Sequence, residues 1–149
     1  MATKVEAIEK YGLNKEAKSK ALFEKIGIIG CGMVGREIAI MVSRHGIEVV
    51  FIEISEGMIE YAYRKLDEEL DEMIGHWGMT AGEKRAILTR IHGSIYCKDL
   101  EGCGIVIEAI KSKTREDSVE KRKEIFKRIE QNVSPETIIA TNSTTLVIT

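Results

Sequence analysis

The sequence has no apolar run approaching the roughly 18 residues that a bilayer span requires. Its first residues mix Lys4, Glu6, Glu9 and Lys10 where a secretory leader would carry an unbroken apolar core. A membrane or secreted protein is therefore not expected, and a cytoplasmic one is. Neither charge is in excess: 22 Lys and Arg stand against 24 Asp and Glu, a formal net charge of −2, and no basic stripe occurs. Nucleic-acid surfaces need clustered cations to displace counterions from phosphates, so that class is excluded. Cysteine is scarce and poorly spaced for building structure. Cys31, Cys97 and Cys103 are odd in number and form no C-x-x-C pair, which leaves reduced thiols rather than a disulfide framework or a zinc site. The three histidines, His45, His76 and His92, stand singly, so no metal is assigned. What remains is 149 residues, 44% hydrophobic and 31% charged, the composition of one globular domain suited to small-molecule chemistry.

Residues 1–24 read as a charged, helix-prone extension that packs on the domain edge or frays, with Val5, Ala7 and Ile8 in one short stretch, Gly12 as a breaker and Ala17, Ala21 and Leu22 further on. The domain proper is expected over 25–149. Ile26 to Ile29 form a short apolar run with turn glycines directly behind it, the pattern of a buried parallel strand. Val34, Ile38, Met41 and Val42 recur at helical spacing up to Gly46, and Val49 to Ile52 make a second strand ending at Glu53. Ser55 caps a long helix with the stripe Ile59, Ala62, Leu66, Leu70 and Met73. Thr80 with Glu83 is a capping box for a second helix bearing Ala86, Ile87 and Ile91. These two read as a projecting helical hairpin. Strands are then expected at 94–96, 105–107 and 137–140, with a helix carrying Val119, Ile125, Phe126 and Ile129 ahead of Ser134-Pro135. The spacing predicts a Rossmann-type α/β fold, a doubly wound and mostly parallel sheet.

Gly30-x-Gly32-x-x-Gly35 is a weak signal by itself, but it stands between a strand and a helix, where its chemistry needs it. Gly30 permits the tight turn, Gly32 leaves room for a pyrophosphate against the backbone, and Gly35 lets helix and strand close up. The helix N-terminus then directs free N–H groups and a partial positive charge at the anion. Glu53, at the end of the second strand, is placed to accept the ribose hydroxyls of an adenosine and to repel a 2′-phosphate, so NAD is expected over NADP. Cys31 inside the loop is either a small residue that fits or a redox-active thiol activated by the helix terminus.

Four segments carry a resemblance: Lys25 to Gly35, Glu53-Ile54-Ser55, Val106-Ile107-Glu108-Ala109-Ile110, and Ile139-Ala140-Thr141-Asn142-Ser143-Thr144-Thr145-Leu146. In this order and spacing they resemble the N-terminal domain of the L-3-hydroxyacyl-CoA dehydrogenase family, 3-hydroxybutyryl-CoA dehydrogenases included. The resemblance implies hydride exchange between NAD and a 3-hydroxyacyl thioester, a reaction of fatty-acid metabolism. It places Gly30, Gly32, Met33 and Gly35 at the pyrophosphate, Glu53 at the adenosine ribose, Ala109 and Ile110 along the cofactor, and Asn142 near the nicotinamide. Arg122 takes the place of the family's lysine at the nicotinamide ribose, with Glu116 or Asp117 as its acidic neighbour. Thr144 stands where the family has a serine that approaches the substrate oxygen, and is the catalytic residue expected within this chain. The family's general base is a histidine beginning roughly twenty residues beyond the Thr144 position. This chain by itself is therefore expected to bind cofactor without turnover. The resemblance also implies a homodimer for a full-length enzyme, formed largely by helices beyond these residues.

Two features depart from the family pattern. The helix after Glu53 carries Asp67, Glu68, Glu69, Asp71 and Glu72 where CoA-binding relatives present Ser and Lys; this is either a solvated face or a field opposing a CoA phosphate. The stretch from Glu108 to Phe126 is longer than usual, and its Lys111–Arg115 segment is either a basic contact for an anion or a longer loop. The readings left open beside the acyl-CoA enzyme are a dehydrogenase of a free hydroxy acid and a non-catalytic NAD(H)-binding module.

Overall fold

Apolar runs that lack alternation need cover on both faces, and the five runs obtain it in one sheet. The computed structural model describes residues 22–111 and 115–143, with the backbone alone over 115–118. Among these, β1 (Lys25–Ile29), β2 (Glu48–Ile52), β3 (Ile91–Ser94), β4 (Ile105–Glu108) and β5 (Ile138–Thr141) are ordered β3-β2-β1-β4-β5, and every neighbouring pair is parallel. Parallel neighbours require crossovers, which α1 (Met33–Arg44), α2 (Glu56–Gly75), α3 (Ala81–Arg90) and α4 (Arg115–Glu130) provide, together with one 3-10 turn at Cys97–Leu100. The expected Rossmann-type sheet is the observed one. The expected 1–24 extension lies outside the described residues except for its last three.

The pleat divides the core in two. Ile26, Ile28, Val49 and Phe51 face Ala39 and Ile40 of α1 and Ala62, Leu66 and Leu70 of α2. Ile29, Val50, Ile52 and Val106 face Leu100, Cys103 and Ile129 on the other side. Gly27 is needed there because an added Cβ would lie 2.6 Å from Leu100 Cδ2.

Three expectations are corrected. The α1 stripe expected from Val34, Ile38, Met41 and Val42 is rotated: the residues of this helix that are buried are Gly35, Arg36, Ala39, Ile40 and Ser43, while Met41 is 57% exposed. A face of small residues lets α1 lie close on β1, and this outweighs the hydrophobicity of the neighbouring stripe. The third strand begins at Ile91, not Ser94. Ile91 follows Ile87 at helical spacing, yet it has extended backbone (φ −104°, ψ 119°) because β2 and Tyr63 hold it. The Tyr63 hydroxyl donates to Ile91 O at 3.2 Å and accepts from Gly93 N at 2.8 Å. Ala86, expected on the apolar side of α3, is exposed, and that helix is anchored in the core by the buried Ile87 with the half-buried Leu88 beside it.

The hairpin of α2 and α3 forms as its caps predict. Ser55 Oγ accepts from Met58 N, and the Thr80–Glu83 capping box is complete, with Thr80 N–H and hydroxyl donating to Glu83 and holding its carboxyl below the usual range. Trp77 closes α2 in the left-handed region, φ 59°, with its N–H on Ile74 O and that of Gly78 on Met73 O.

Candidate functional site

The glycine loop sits at the carboxyl end of β1, where the strand order turns back between β2 and β4. In an open parallel sheet this is the crevice that binds ligands. Each glycine has a different reason to be there. Gly30 has φ +89° and donates to Ile52 O at 3.0 Å, and a Cβ on it would sit 3.3 Å from Ala109 O. A Cβ on Gly35 would be 2.1 Å from Gly30 O, so only glycine lets the helix pack there. Gly32 has φ −72°, and a Cβ on it would meet nothing within 4 Å. Neither the backbone nor the protein's own packing demands glycine at 32; the open space before it does.

Gly32 is also the N-cap of α1, and that helix has neither a side-chain cap nor an acidic residue in its first turn. Its leading N–H groups thus face the crevice with no side-chain cap among the described residues to answer their partial positive charge. Met33, the first helical residue, is 67% exposed on the same rim. Backbone donors at a helix N-terminus, with open space before Gly32, fit a pyrophosphate.

Glu53, half-buried just beyond β2, is held by the loop itself. Its Oε1 accepts from Cys31 N at 2.7 Å and its Oε2 from Ile54 N at 3.3 Å. A carboxylate has about four acceptor positions. Two are used, and about two are left for the pair of hydroxyls on a ribose. Cys31 is 2% exposed, and its thiol is pushed up to about 12, first by burial and next by the Glu53 charge. Burial and a neighbouring anion here outweigh the helix terminus, so Cys31 is a packed, neutral side chain rather than an activated thiol.

On the far side of β1, Ala109 N donates to Ile29 O at 2.9 Å and brings the Ala109–Ile110 turn against Gly30. Beneath this turn Glu108 is fully buried. It accepts from Ile110 N at 2.7 Å, from Arg122 Nε at 3.0 Å and from Thr141 Oγ1 at 2.6 Å. Arg122, expected beside the nicotinamide ribose, is 6% exposed and gives its Nη2 to Ile110 O at 2.9 Å. Asn142 is exposed at the end of β5, with its N–H on Glu108 O at 2.8 Å. Gly30, Gly32, Met33, Gly35, Glu53, Ala109, Ile110 and Asn142 thus gather around one crevice. Thr144 and Lys113 lie outside the described residues, as do the side chains of Arg115, Glu116 and Asp117.

The acidic face of α2 is largely answered by cations of α1, α3 and α2 itself. Glu69 pairs with Arg36 at 2.7 Å, Glu68 with Lys65 at 2.6 Å, and Lys84 of α3 holds both Asp67 at 2.7 Å and Asp71 at 2.6 Å. Arg36 also donates to Cys31 O at 3.3 Å, tying the hairpin to the glycine loop. Of the site's supports, sequence reasoning assigned no role to Glu108, Thr141 or Arg36. The available signal was Glu108 itself, an acid directly after the apolar run Ile105–Ile107.

Residues 25–149 match the family described as "3-hydroxyacyl-CoA dehydrogenase, NAD binding domain". Similar proteins include a probable 3-hydroxybutyryl-CoA dehydrogenase of Deinococcus radiodurans, 30% identical over 132 residues, and a 3-hydroxybutyryl-CoA dehydrogenase of Bradyrhizobium diazoefficiens, 27% identical over 129. They cover 84% and 87% of this chain, which spans only 43% and 42% of them. Among solved structures, (S)-3-hydroxybutyryl-CoA dehydrogenase from Ralstonia eutropha matches with a TM-score of 0.75 and 31% identity, over 85% of this chain and 43% of that one.

Proposed function

The chain belongs to the NAD-binding domain family of 3-hydroxyacyl-CoA dehydrogenases, with NAD as the cofactor of that domain, and on this premise we propose that it is the cofactor half of an enzyme interconverting 3-hydroxyacyl-CoA and 3-ketoacyl-CoA. The observation that carries the reading is the Glu53 carboxylate pinned to the glycine loop by Cys31 N at 2.7 Å, beside an uncapped helix terminus. NAD, when bound, supplies the hydride acceptor of the oxidation.

The roles of the chain's own residues follow from their positions. The backbone at Gly30, Gly32, Met33 and Gly35 cradles the pyrophosphate, and Glu53 accepts the adenosine ribose hydroxyls while turning away a 2′-phosphate. Ala109, Ile110 and Asn142 border the nicotinamide half, with Arg122 supporting them from below. The Thr144 hydroxyl donates to the substrate oxygen. The proton is handled by a group outside these elements: His45 closes α1 at its far end, His76 closes α2, and His92 stands near the amino end of β3, away from the carboxyl ends that border the crevice. In the proposal that group belongs to the further length of the relatives, as do the helices of a homodimer, and the enzyme works in the cytoplasm.

The ion pairs on α2 weaken the objection to an acyl-CoA substrate, because four of its five clustered carboxylates are paired, sharing the three cations Arg36, Lys65 and Lys84. The test is oxidation of NADH by a longer protein carrying this domain, with acetoacetyl-CoA against free acetoacetate. Turnover of the thioester is expected; turnover of the free acid alone would overturn the substrate assignment.

A further inference from the structure

We propose that Glu108, together with Arg122 and Thr141, is the positioning group for the nicotinamide half of the site, acting without touching the cofactor. The proposal rests on the reading of this domain as NAD-binding. Glu108 is at 0% exposure and Arg122 is 6% exposed, so neither side chain reaches into the crevice. Between them they bond each segment that borders the crevice on that side. Glu108 Oε1 takes Ile110 N, and Arg122 Nη2 holds Ile110 O, so the turn after β4 is gripped at both backbone groups of one residue. Glu108 Oε2 takes the Thr141 hydroxyl, whose oxygen in turn accepts from Ser143 N at 3.0 Å, and Glu108 O takes Asn142 N. The place of Asn142 and its neighbours is thereby tied to the place of Ala109 and Ile110.

The arrangement needs the two acceptor oxygens of a carboxylate. An ionised carboxylate only accepts, and all three groups aimed at Glu108 are donors. A glutamine has one acceptor oxygen. Thr141 can reverse its hydroxyl to accept from the amide, but Ile110 N and Arg122 Nε cannot, so one of them loses its acceptor whichever way the amide turns. The strand order places this cluster at β4 and β5, on the opposite side of β1 from Glu53, and a dinucleotide lying across that switch presents one nucleotide to each side. Perturbing Glu108 should therefore weaken the grip on the nicotinamide half and leave the adenine half alone.

The test is calorimetry of this chain with NAD and, separately, with ADP, on the unmodified protein and on Glu108→Gln, Thr141→Val and Thr141→Ser. In Glu108→Gln and Thr141→Val, NAD affinity is expected to fall about tenfold, the scale of one lost charge-assisted or buried hydrogen bond, with ADP affinity nearly unchanged. Thr141→Ser keeps the hydroxyl and should restore NAD binding. If Glu108→Gln does not fold, Thr141→Val decides. Unchanged NAD affinity, or equal losses for NAD and ADP, would overturn the positioning role while leaving the NAD reading intact. An unmodified chain that binds neither ligand would overturn both.

Discussion

Glu53 is where charge, geometry and cofactor choice meet in one side chain. Two of its acceptor positions are committed, to Cys31 N at 2.7 Å and Ile54 N at 3.3 Å, and the remainder face the crevice. A 2′-phosphate in place of a hydroxyl carries close to two negative charges. At about 4–5 Å from the carboxylate this repulsion is about 1.5 kcal/mol in the dielectric of water, and several-fold greater where water is excluded. NADP also forfeits a hydroxyl donor to a carboxylate, about 1.5–3 kcal/mol. Even at the solvent-screened limit the sum is about 3 kcal/mol, which corresponds to a preference for NAD of about a hundredfold.

Two substitutions separate the charge from the contact. Glu53→Gln removes the charge yet can keep an oxygen on Cys31 N, so the loop stays in place; the NAD-to-NADP ratio should fall by about tenfold or more, NAD binding weakening while NADP binding strengthens. Glu53→Ala also strips the acceptor from Cys31 N, so affinity for both cofactors should drop as the ratio narrows. Calorimetry with each cofactor at low and high salt reads this directly, and the gap of the unmodified chain should shrink with salt because the repulsion is partly screened. Equal affinity for NAD and NADP in the unmodified chain, or a ratio that Glu53→Gln leaves intact, would refute the reasoning.

The glycines make a paired prediction. Gly35→Ala drives a Cβ to 2.1 Å from a backbone oxygen and should lower the melting temperature with a cost of about 1–3 kcal/mol or more, whereas Gly32→Ala meets nothing within 4 Å and should keep its melting temperature while losing NAD binding; thermal melts and calorimetry together check both. The Cys31 thiol, pushed up to about 12 by burial and by Glu53, should resist alkylation at pH 8 in the native protein and react once it is unfolded. Because the native thiol is the harder one to ionise, its contribution to stability is complete below the ordinary cysteine value near 9 and is lost as pH climbs from there towards about 12; rapid native-state labelling at pH 8 would contradict this. Lys84→Met removes the cation shared by Asp67 and Asp71 and should lower the melting temperature, and the loss should lessen in high salt.

The parts of the fold legible in the sequence are those governed by near neighbours. The glycine turn, the Ser55 cap and the Thr80–Glu83 box are each complete within six residues, and each forms where its pattern stands. The parts that went astray depend on distant contacts. Ile91 obeys a helical period and is taken into the sheet by β2 and the Tyr63 hydroxyl; Met41 fits the apolar stripe of α1 and is left exposed because Gly35 and Ala39 allow a closer approach to β1. The site divides the same way. Loop glycines and the strand-end acid Glu53 were readable, while the Glu108–Arg122–Thr141 cluster joins a strand to a helix 14 residues on and to another strand 33 residues on. No local spacing rule spans such separations.

The acidic helix shows why this matters for function as well as for fold. Five carboxylates within six positions of α2 look like a field opposed to an anionic substrate, and a count along the sequence gives no reason to think otherwise. Yet Glu69 is answered by Arg36, 33 residues earlier, and Asp71 by Lys84, 13 residues later. Coulomb interactions depend on distance in space: at long range the Arg36–Glu69 pair at 2.7 Å acts as a small dipole, and Lys84, shared by Asp67 and Asp71, cancels one of their two charges. Lys84 and Arg36 therefore have two consequences at once: they hold the hairpin and the glycine loop in register, and they weaken the repulsion that a phosphate-bearing substrate would meet there. Lys84→Met should accordingly slow turnover of a CoA thioester by a longer protein carrying this domain, leave NAD affinity nearly unchanged, and have its effect reduced by salt. A thioester rate indifferent to Lys84→Met would mean that the anionic handle is bound away from α2.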